Sequence, residues 1–529
     1  MGRGYVIMRK AAHGAAGKAK RNAERGWKMR ERRCIMPSSR GGKMALAAAA
    51  GCLLLIAAIL LLRHGAAPET PAPSQRLQTA AAGRNDYQLT LRLNPEDSTL
   101  SITQTLTYRN DTGDTLDTLL LRTWLNAYQT EETSPAATEE LYDSCYPEGF
   151  SPGWLELFDV RWQGEIVTTA YLDAAQTALS VPIPALKPGE SGELTLRAVA
   201  HIPVCAHRTG YADGVWMLGN VIPLLSRYED GAWRQDEYSA VGDPFLSDCA
   251  NFRVQLFVPE GYVPACTAAL SQVQTGVWTG EAMAARDLGL CVSAAYKTAS
   301  AMQGNTLVTA YALDAAGARR GLQAACRTLE TFSALYGEYP YPSYQICQVD
   351  FPFGGMEYPA MSLIAGRYFD KDMQDSLELV MAHETAHQWF YALVGSDQVN
   401  QPWQDEALSE YAMLRYVKAR YGQGSYENLK YFRVDAPMRE SVAGSLTPGS
   451  PISYFGNLTD YATVVYGRGA ALLLALDTLL PGGVDGFLRQ YAETFAFSYA
   501  SRTDFESCLH AYAGMDLSPL LLDYLDTLM

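Results

Sequence analysis

His383-Glu384-Thr385-Ala386-His387 is the stretch whose residue types and spacing could do chemistry. Two residues four apart on a helix lie one turn above each other on the same face. Two imidazoles so placed can bind one zinc ion, and Glu384 then stands where it can take a proton from water held by the metal. The chain has only seven histidines, so two at this spacing carry weight. The alternative is a helix that spells the pattern and binds nothing. A catalytic zinc takes three protein ligands and keeps one place for water or substrate. The third is expected from Trp403-Gln404-Asp405-Glu406-Ala407-Leu408-Ser409-Glu410-Tyr411. Glu406 opens a second helix there, and an antiparallel return would bring it to the two histidines. Asp405 and Glu410 compete for the role, and all three acids could equally be helix N-terminal charges favoured by the dipole.

The elements that must position these groups are legible in outline. Asp375 is expected to cap a helix starting at Ser376, with Glu378 as the second half of a capping box. That helix is predicted to run through both histidines to about Val394 and to stop at Gly395. The second helix is predicted from near Gln404 to Gly422. Upstream, Leu322, Cys326, Leu329 and Phe332 recur at helical spacing between Ala315 and Tyr336. Residues 470–529 read as mostly helical. Residues 85–304 read as a β-rich domain. There Tyr87, Leu89, Leu91 and Leu93 alternate with polar neighbours, Asn94-Pro95-Glu96-Asp97 makes a turn, and Leu100, Ile102, Leu106 and Tyr108 resume the alternation, which predicts a hairpin with one buried face.

Taken together, these motifs resemble a known family. His383-Glu384-x-x-His387 followed after eighteen residues by Glu406, in a W-x-x-E-x-x-x-E-Y context, is similar to the gluzincin aminopeptidases, the aminopeptidase N and leukotriene hydrolase family. Gly354-Gly355-Met356-Glu357-Tyr358 resembles that family's G-x-M-E-N exopeptidase motif, and Tyr466-Gly467-Arg468-Gly469 resembles its Y-E-K-G segment. The resemblance implies an α+β multidomain fold: a saddle-like β-domain over 85–304, then a mainly helical, thermolysin-like catalytic domain over 305–529. It implies one Zn2+ on His383, His387 and Glu406, Glu384 as general base and then acid, and Tyr466 as hydrogen-bond donor to the oxyanion, with Tyr461 as alternate. It further implies that Glu357 binds the free α-ammonium of a peptide, with Gly354, Gly355 and Met356 meeting its backbone. Tyr358 departs from the family's Asn, and Gly467 and Arg468 depart from its Glu and Lys. The family's large C-terminal helical domain would be absent, which would leave the site more open. The expected activity is removal of N-terminal residues from peptides. The alternatives are a thermolysin-type endopeptidase, which would not use Glu357 in this way, and a peptide-binding protein on a degenerate enzyme fold.

The bulk numbers set the surroundings. A chain of 529 residues is too long for one core. Its net charge of −15 divides unevenly: residues 1–43 hold thirteen Lys/Arg and two Glu, while the rest holds 29 basic and 55 acidic residues. Residues 44–62 carry no charge and are just long enough to span a bilayer. Positive charge before them predicts a single-pass anchor with a cytoplasmic N-terminus and an extracellular body; a cleaved signal peptide is the rival. Residues 63–84, rich in Ala and Pro, read as an extended linker. The acidic body argues against nucleic acid as a partner. Eight cysteines lie beyond the span and could pair outside the cell. His201 and His207 near Cys205 read as loop histidines before they read as a second metal site. Gly242-Asp243-Pro244 with Asp248 reads as a turn before it reads as a calcium site.

Overall fold

The computed structural model describes residues 69–527. The basic segment 1–43 and the predicted span 44–62 lie outside the described residues. Among the described residues one helical run, Leu458–Leu479, is long and apolar enough to cross a membrane, but 56% of it is buried within the fold.

Alternation of apolar and polar residues builds the first half. Asp86–Asn94 and Thr99–Arg109 pair antiparallel around the expected turn, with Leu91 opposite Ile102. They sit in the middle of an eight-stranded sheet in which Asp86–Asn94 also pairs in parallel with Ala250–Phe257. The inward residues, among them Tyr87, Leu89, Leu91, Leu100 and Leu106, form the core of this half. Two four-stranded sheets and a two-stranded hairpin, Tyr228–Glu229 with Ala232–Trp233, complete it.

The second half begins earlier than expected. Lys297–Gln303 pairs with Thr306–Ala312 in a five-stranded sheet that continues through Ser343–Val349, Met361–Ala365 and Gly355–Tyr358. The strand before residue 304 therefore belongs with the helical half. Gly355–Tyr358 is the edge strand of this sheet. The helix Ala315–Tyr336 is capped by Asp314, whose side chain accepts from the amides of Ala316 and Gly317. It packs on the sheet and on the helix Gln374–Ala386, which in turn packs on Trp403–Tyr421. Helices over Gly469–Leu479, Val484–Thr494, Arg502–Ala513 and Ser518–Leu525 close the chain.

Three local expectations are corrected. The histidine helix starts at Gln374 with no side-chain cap. Glu378 cannot complete a capping box, because its carboxylate accepts from Tyr416 and Tyr421 and pairs with Arg327. The same helix ends at Ala386, not near Val394: Phe390 and Tyr391 leave helical geometry and the chain turns into a short strand at Val394–Gly395. Residues 63–84 are not all extended. Ser74 caps a helix over Gln75–Ala81, and Leu77 is buried against the body.

Among the described residues all eight cysteines are free thiols. His207 is buried and its Nδ1 lies 2.6 Å from the Tyr128 hydroxyl, while His201 stacks on Trp154. Neither joins a metal-ligating group among the described residues. Asp243 pairs with buried Arg208 and Asp248 with Arg227, which leaves no acidic cluster for calcium.

Candidate active site

The two helices expected to meet do meet. His383 lies in the last turn of Gln374–Ala386, and His387 closes it. Glu406 lies in the first turn of Trp403–Tyr421. The three donor atoms converge: His383 Nε2 is 3.1 Å from His387 Nε2 and 3.2 Å from Glu406 Oε2, and His387 Nε2 is 3.5 Å from the same oxygen. Zinc bonds of about 2.0–2.1 Å at a tetrahedral angle place neighbouring donor atoms roughly 3.3 Å apart. The donor set therefore fits zinc in both chemistry and spacing.

The far sides of both rings face acids, closely at His387 and at longer range at His383, whose Nδ1 makes no hydrogen bond. Asp405 Oδ1 lies 2.6 Å from His387 Nδ1, with Ser409 Oγ at 3.1 Å. Glu410 Oε2 lies 3.5 Å from His383 Nδ1. The two competitors for the third ligand position thus sit behind the histidines rather than beside Glu406. Such carboxylates orient a ligating imidazole and make it more basic. Burial works to lower the His383 imidazole, but Glu406 and Glu410 overcome it and raise it to about 9. Burial likewise works against the charged form of Glu406, yet bonds to both histidines pull its carboxyl far below the usual range. The pocket is built around positive charge.

Glu384 is buried beside this centre. Burial pushes its carboxyl up to about 7, against the pull of His383 and His387. Gly355 explains how the carboxylate fits: a Cβ there would meet the Glu384 carboxylate carbon at 2.5 Å. Gly354 is under no such constraint, since its nearest neighbour would be Val380 at 3.6 Å.

Residues 355 and 357 share one face of the edge strand by the alternation of strands. Glu357 accordingly lies within reach of Glu384 and His387: these three residues offer ligand atoms all within 4.8 Å of one another. Glu357 is 4% exposed, and its Oε1 has no hydrogen-bond partner. Burial raises its carboxyl well above the usual range. Met356 falls on the opposite face and is buried in the apolar core, so only its backbone can meet a substrate on the Glu357 side. Tyr358 also turns inward. Its hydroxyl donates to Asn220 Oδ1 at 3.3 Å, and it fits only because residues 219 and 289 are glycine, where a Cβ would come within 1.8 and 2.7 Å of it.

Tyr466 stands in a π-helical turn, Ala462–Arg468. Its ring stacks on His383 at 5.5 Å between centroids. Tyr461 packs edge-on against it at 5.7 Å and is buried. Sequence reading missed Gln398 and Arg433 in the second half of the chain, which bond to Asp405 and Glu410, and a further group in the first half. Asn220 bonds Tyr358, and the charges of Asp243 and Arg208 act on Glu357 and Tyr358; the Gly242-Asp243-Pro244 turn and His207 had marked their neighbourhood.

Comparison with known proteins agrees with this geometry. The model of the peptidase family M1 domain matches residues 320–524. Leukotriene A-4 hydrolase of Xenopus laevis is 30% identical over 192 residues, 34% of this chain and 30% of that one. Aminopeptidase N of Lactococcus lactis subsp. lactis is 24% identical over 387 residues, 67% of this chain and 44% of that one. The chain thus spans less than half the length of these curated relatives. Among solved structures, an M1 zinc metallopeptidase from Deinococcus radiodurans superposes with a TM-score of 0.59 at 20% identity, covering 84% of this chain and 94% of that one. Leukotriene A4 hydrolase from Saccharomyces cerevisiae gives 0.59 at 16% identity, covering 88% and 70%. The matched segment, residues 320–524, holds both imidazoles, Glu406, Glu384, Glu357 and Tyr466, and it is this segment that is similar to the peptidase family M1 domain.

Proposed function

We propose that the protein is a zinc-dependent aminopeptidase that removes N-terminal residues from peptides. The observation that carries this reading is Glu357. A carboxylate buried without a partner needs a cation, and Glu357 stands outside the His383, His387 and Glu406 donor set while reaching to within 4.8 Å of His387 and Glu384. The free α-ammonium of a peptide meets that need through a charge-assisted bond. Because Glu357 lies so near Glu384, an ammonium on it sets the carbonyl of the first residue, and no later one, beside the base. A variant of the Deinococcus enzyme has been solved with a bound Tyr-Ser-Ala substrate, which supports a short peptide as the ligand class.

His383, His387 and Glu406 would hold zinc, which supplies Lewis acidity and lowers the pKa of water to about 7. Glu384 takes the proton of the attacking water and passes it to the leaving amine. Tyr466, held over the His383 ring, donates a hydrogen bond to the oxyanion as it forms. The free edge of Gly355–Tyr358 offers backbone groups to an extended peptide, as an added strand would use them. Glycine at 355 keeps that approach and the seat of Glu384 clear together.

The asymmetry of charge around residues 44–62 supports a membrane-anchored form with this site outside the cell. Protease treatment of intact cells that leaves the body uncut would overturn that placement. The activity is tested by hydrolysis of a panel of amino-acid arylamides and of the same peptides with acetylated N-termini. Chelator-sensitive cleavage of the free forms alone is expected. Equal cleavage of the acetylated forms would make the enzyme an endopeptidase.

A further inference from the structure

We infer that Arg433 is a positioning residue for the metal ligand His383, acting through Glu410. The inference rests on the zinc reading above and extends it to a residue that touches neither metal nor substrate.

Glu410 is fully buried, at 0% exposure, in the helix that carries Glu406. Arg433 grips it with both arms of the guanidinium: Nε donates to Oε1 at 2.6 Å and a terminal nitrogen donates to Oε2 at 2.7 Å. A two-point grip fixes the plane of a carboxylate, which a single contact cannot do. The Oε2 atom so fixed is the one facing His383 Nδ1 at 3.5 Å. The other histidine needs no such device, because Asp405 reaches it directly at 2.6 Å and is itself held by Gln398. The longer reach to His383 is where an outside clamp matters.

The segment that carries Arg433 is itself seated against the opposite wall of the site. A Cβ on Gly467 would lie 2.5 Å from the Pro437 Cβ and 3.0 Å from the Arg433 carbonyl oxygen. Arg468 donates to the Glu440 carbonyl at 2.7 Å and to that of Pro437 at 3.3 Å. These contacts account for Gly467 and Arg468 beside Tyr466: the glycine admits the Arg433 segment, and the arginine ties it down.

The test measures zinc affinity of the full-length protein by competition with a chromophoric chelator, beside kcat and KM. Loss of an outer partner of a metal-bound histidine costs about 10- to 100-fold in metal affinity. Arg433→Gln leaves Glu410 in place but unclamped, so it is expected to weaken zinc about threefold or more, up to that factor, and to lower kcat with KM little changed. Arg433→Lys keeps the charge without the fork, so it is expected to restore affinity only in part. Lys430→Gln removes a neighbouring ion pair with Asp435 and is expected to leave zinc affinity unchanged. Zinc affinity of Arg433→Gln within twofold of the parent overturns the inference, as does an equal loss in Lys430→Gln, which would mean general loosening. If Arg433→Gln does not fold, Arg433→Lys decides: at least threefold weaker zinc supports the clamp, and parent-like affinity overturns it. A parent protein that binds no zinc would instead overturn the proposed function.

Discussion

Replacing Glu357 with Gln tests the reading at its most specific point. The side chain is buried, its Oε1 is unpartnered, and Asp243, Asp405 and Glu406 surround it with further negative charge. An ammonium placed there is therefore held by a desolvated charge pair. Truncating one partner of such a pair costs 2–5 kcal/mol, and Gln keeps an oxygen that can still accept a hydrogen bond, so about 2–4 kcal/mol is expected. At 1.36 kcal/mol per tenfold, kcat/KM on an amino-acid arylamide should fall roughly 30- to 900-fold. Any residual cleavage of an acetylated peptide should not fall, since it has no ammonium to lose. Stability supplies the control. Because burial holds the folded-state carboxyl well above its ordinary range, ionising it costs stability as pH rises from the unfolded value toward the folded one. Below the unfolded value the group is protonated in both states and costs nothing. The metal-free Gln variant should thus match the parent's Tm at pH 4 and exceed it at pH 8. A kcat/KM within threefold of the parent, or an equal loss on the acetylated substrate, would refute the assignment of Glu357 to the amine.

Glu384→Gln should cut turnover by about 10²- to 10⁴-fold while zinc content by metal analysis stays at one per chain. In the parent, activity should fall as pH drops through a midpoint between the ordinary 4.5 and about 7, since burial raises this base and a bound cation draws it back. Tyr466→Phe should lower kcat about 10²- to 10³-fold with KM nearly constant, as expected for one oxyanion donor, and Tyr461→Phe measured alongside should not. Gly355→Ala drives a methyl into the Glu384 carboxylate, so kcat should collapse while chelator competition shows unchanged zinc affinity.

The sequence carried the metal site well because its signal is local. Two histidines four apart and an acid opening the next helix leave little freedom once both segments are helical. Helical spacing alone did not sort Asp405, Glu406 and Glu410; it was the family resemblance that pointed to Glu406. Each is one or a few residues from the others, and only the packing of the two helices decides that Glu406 faces the gap while its neighbours back the rings. The helix end near Val394 was misplaced because Trp389, Phe390 and Tyr391 are all buried. An all-apolar run has no period to read. The capping box failed because Glu378 was drawn into tertiary bonds. The helix over Gln75–Ala81 was hidden by its Ala/Pro-rich flanks, although Ser74 was a usable start signal. Tyr358 looked like a lone departure from a motif, but it is matched by Gly219 and Gly289, some 140 and 70 residues upstream.

That last match has a consequence for how such enzymes can be rearranged. The strand that would recognise a peptide's end is keyed into the preceding β-rich half by an aromatic ring and two missing side chains. A chimera that takes its catalytic half from this protein and its partner from a relative lacking both glycines would jam at Tyr358. The two halves must be inherited, exchanged or engineered as a matched set.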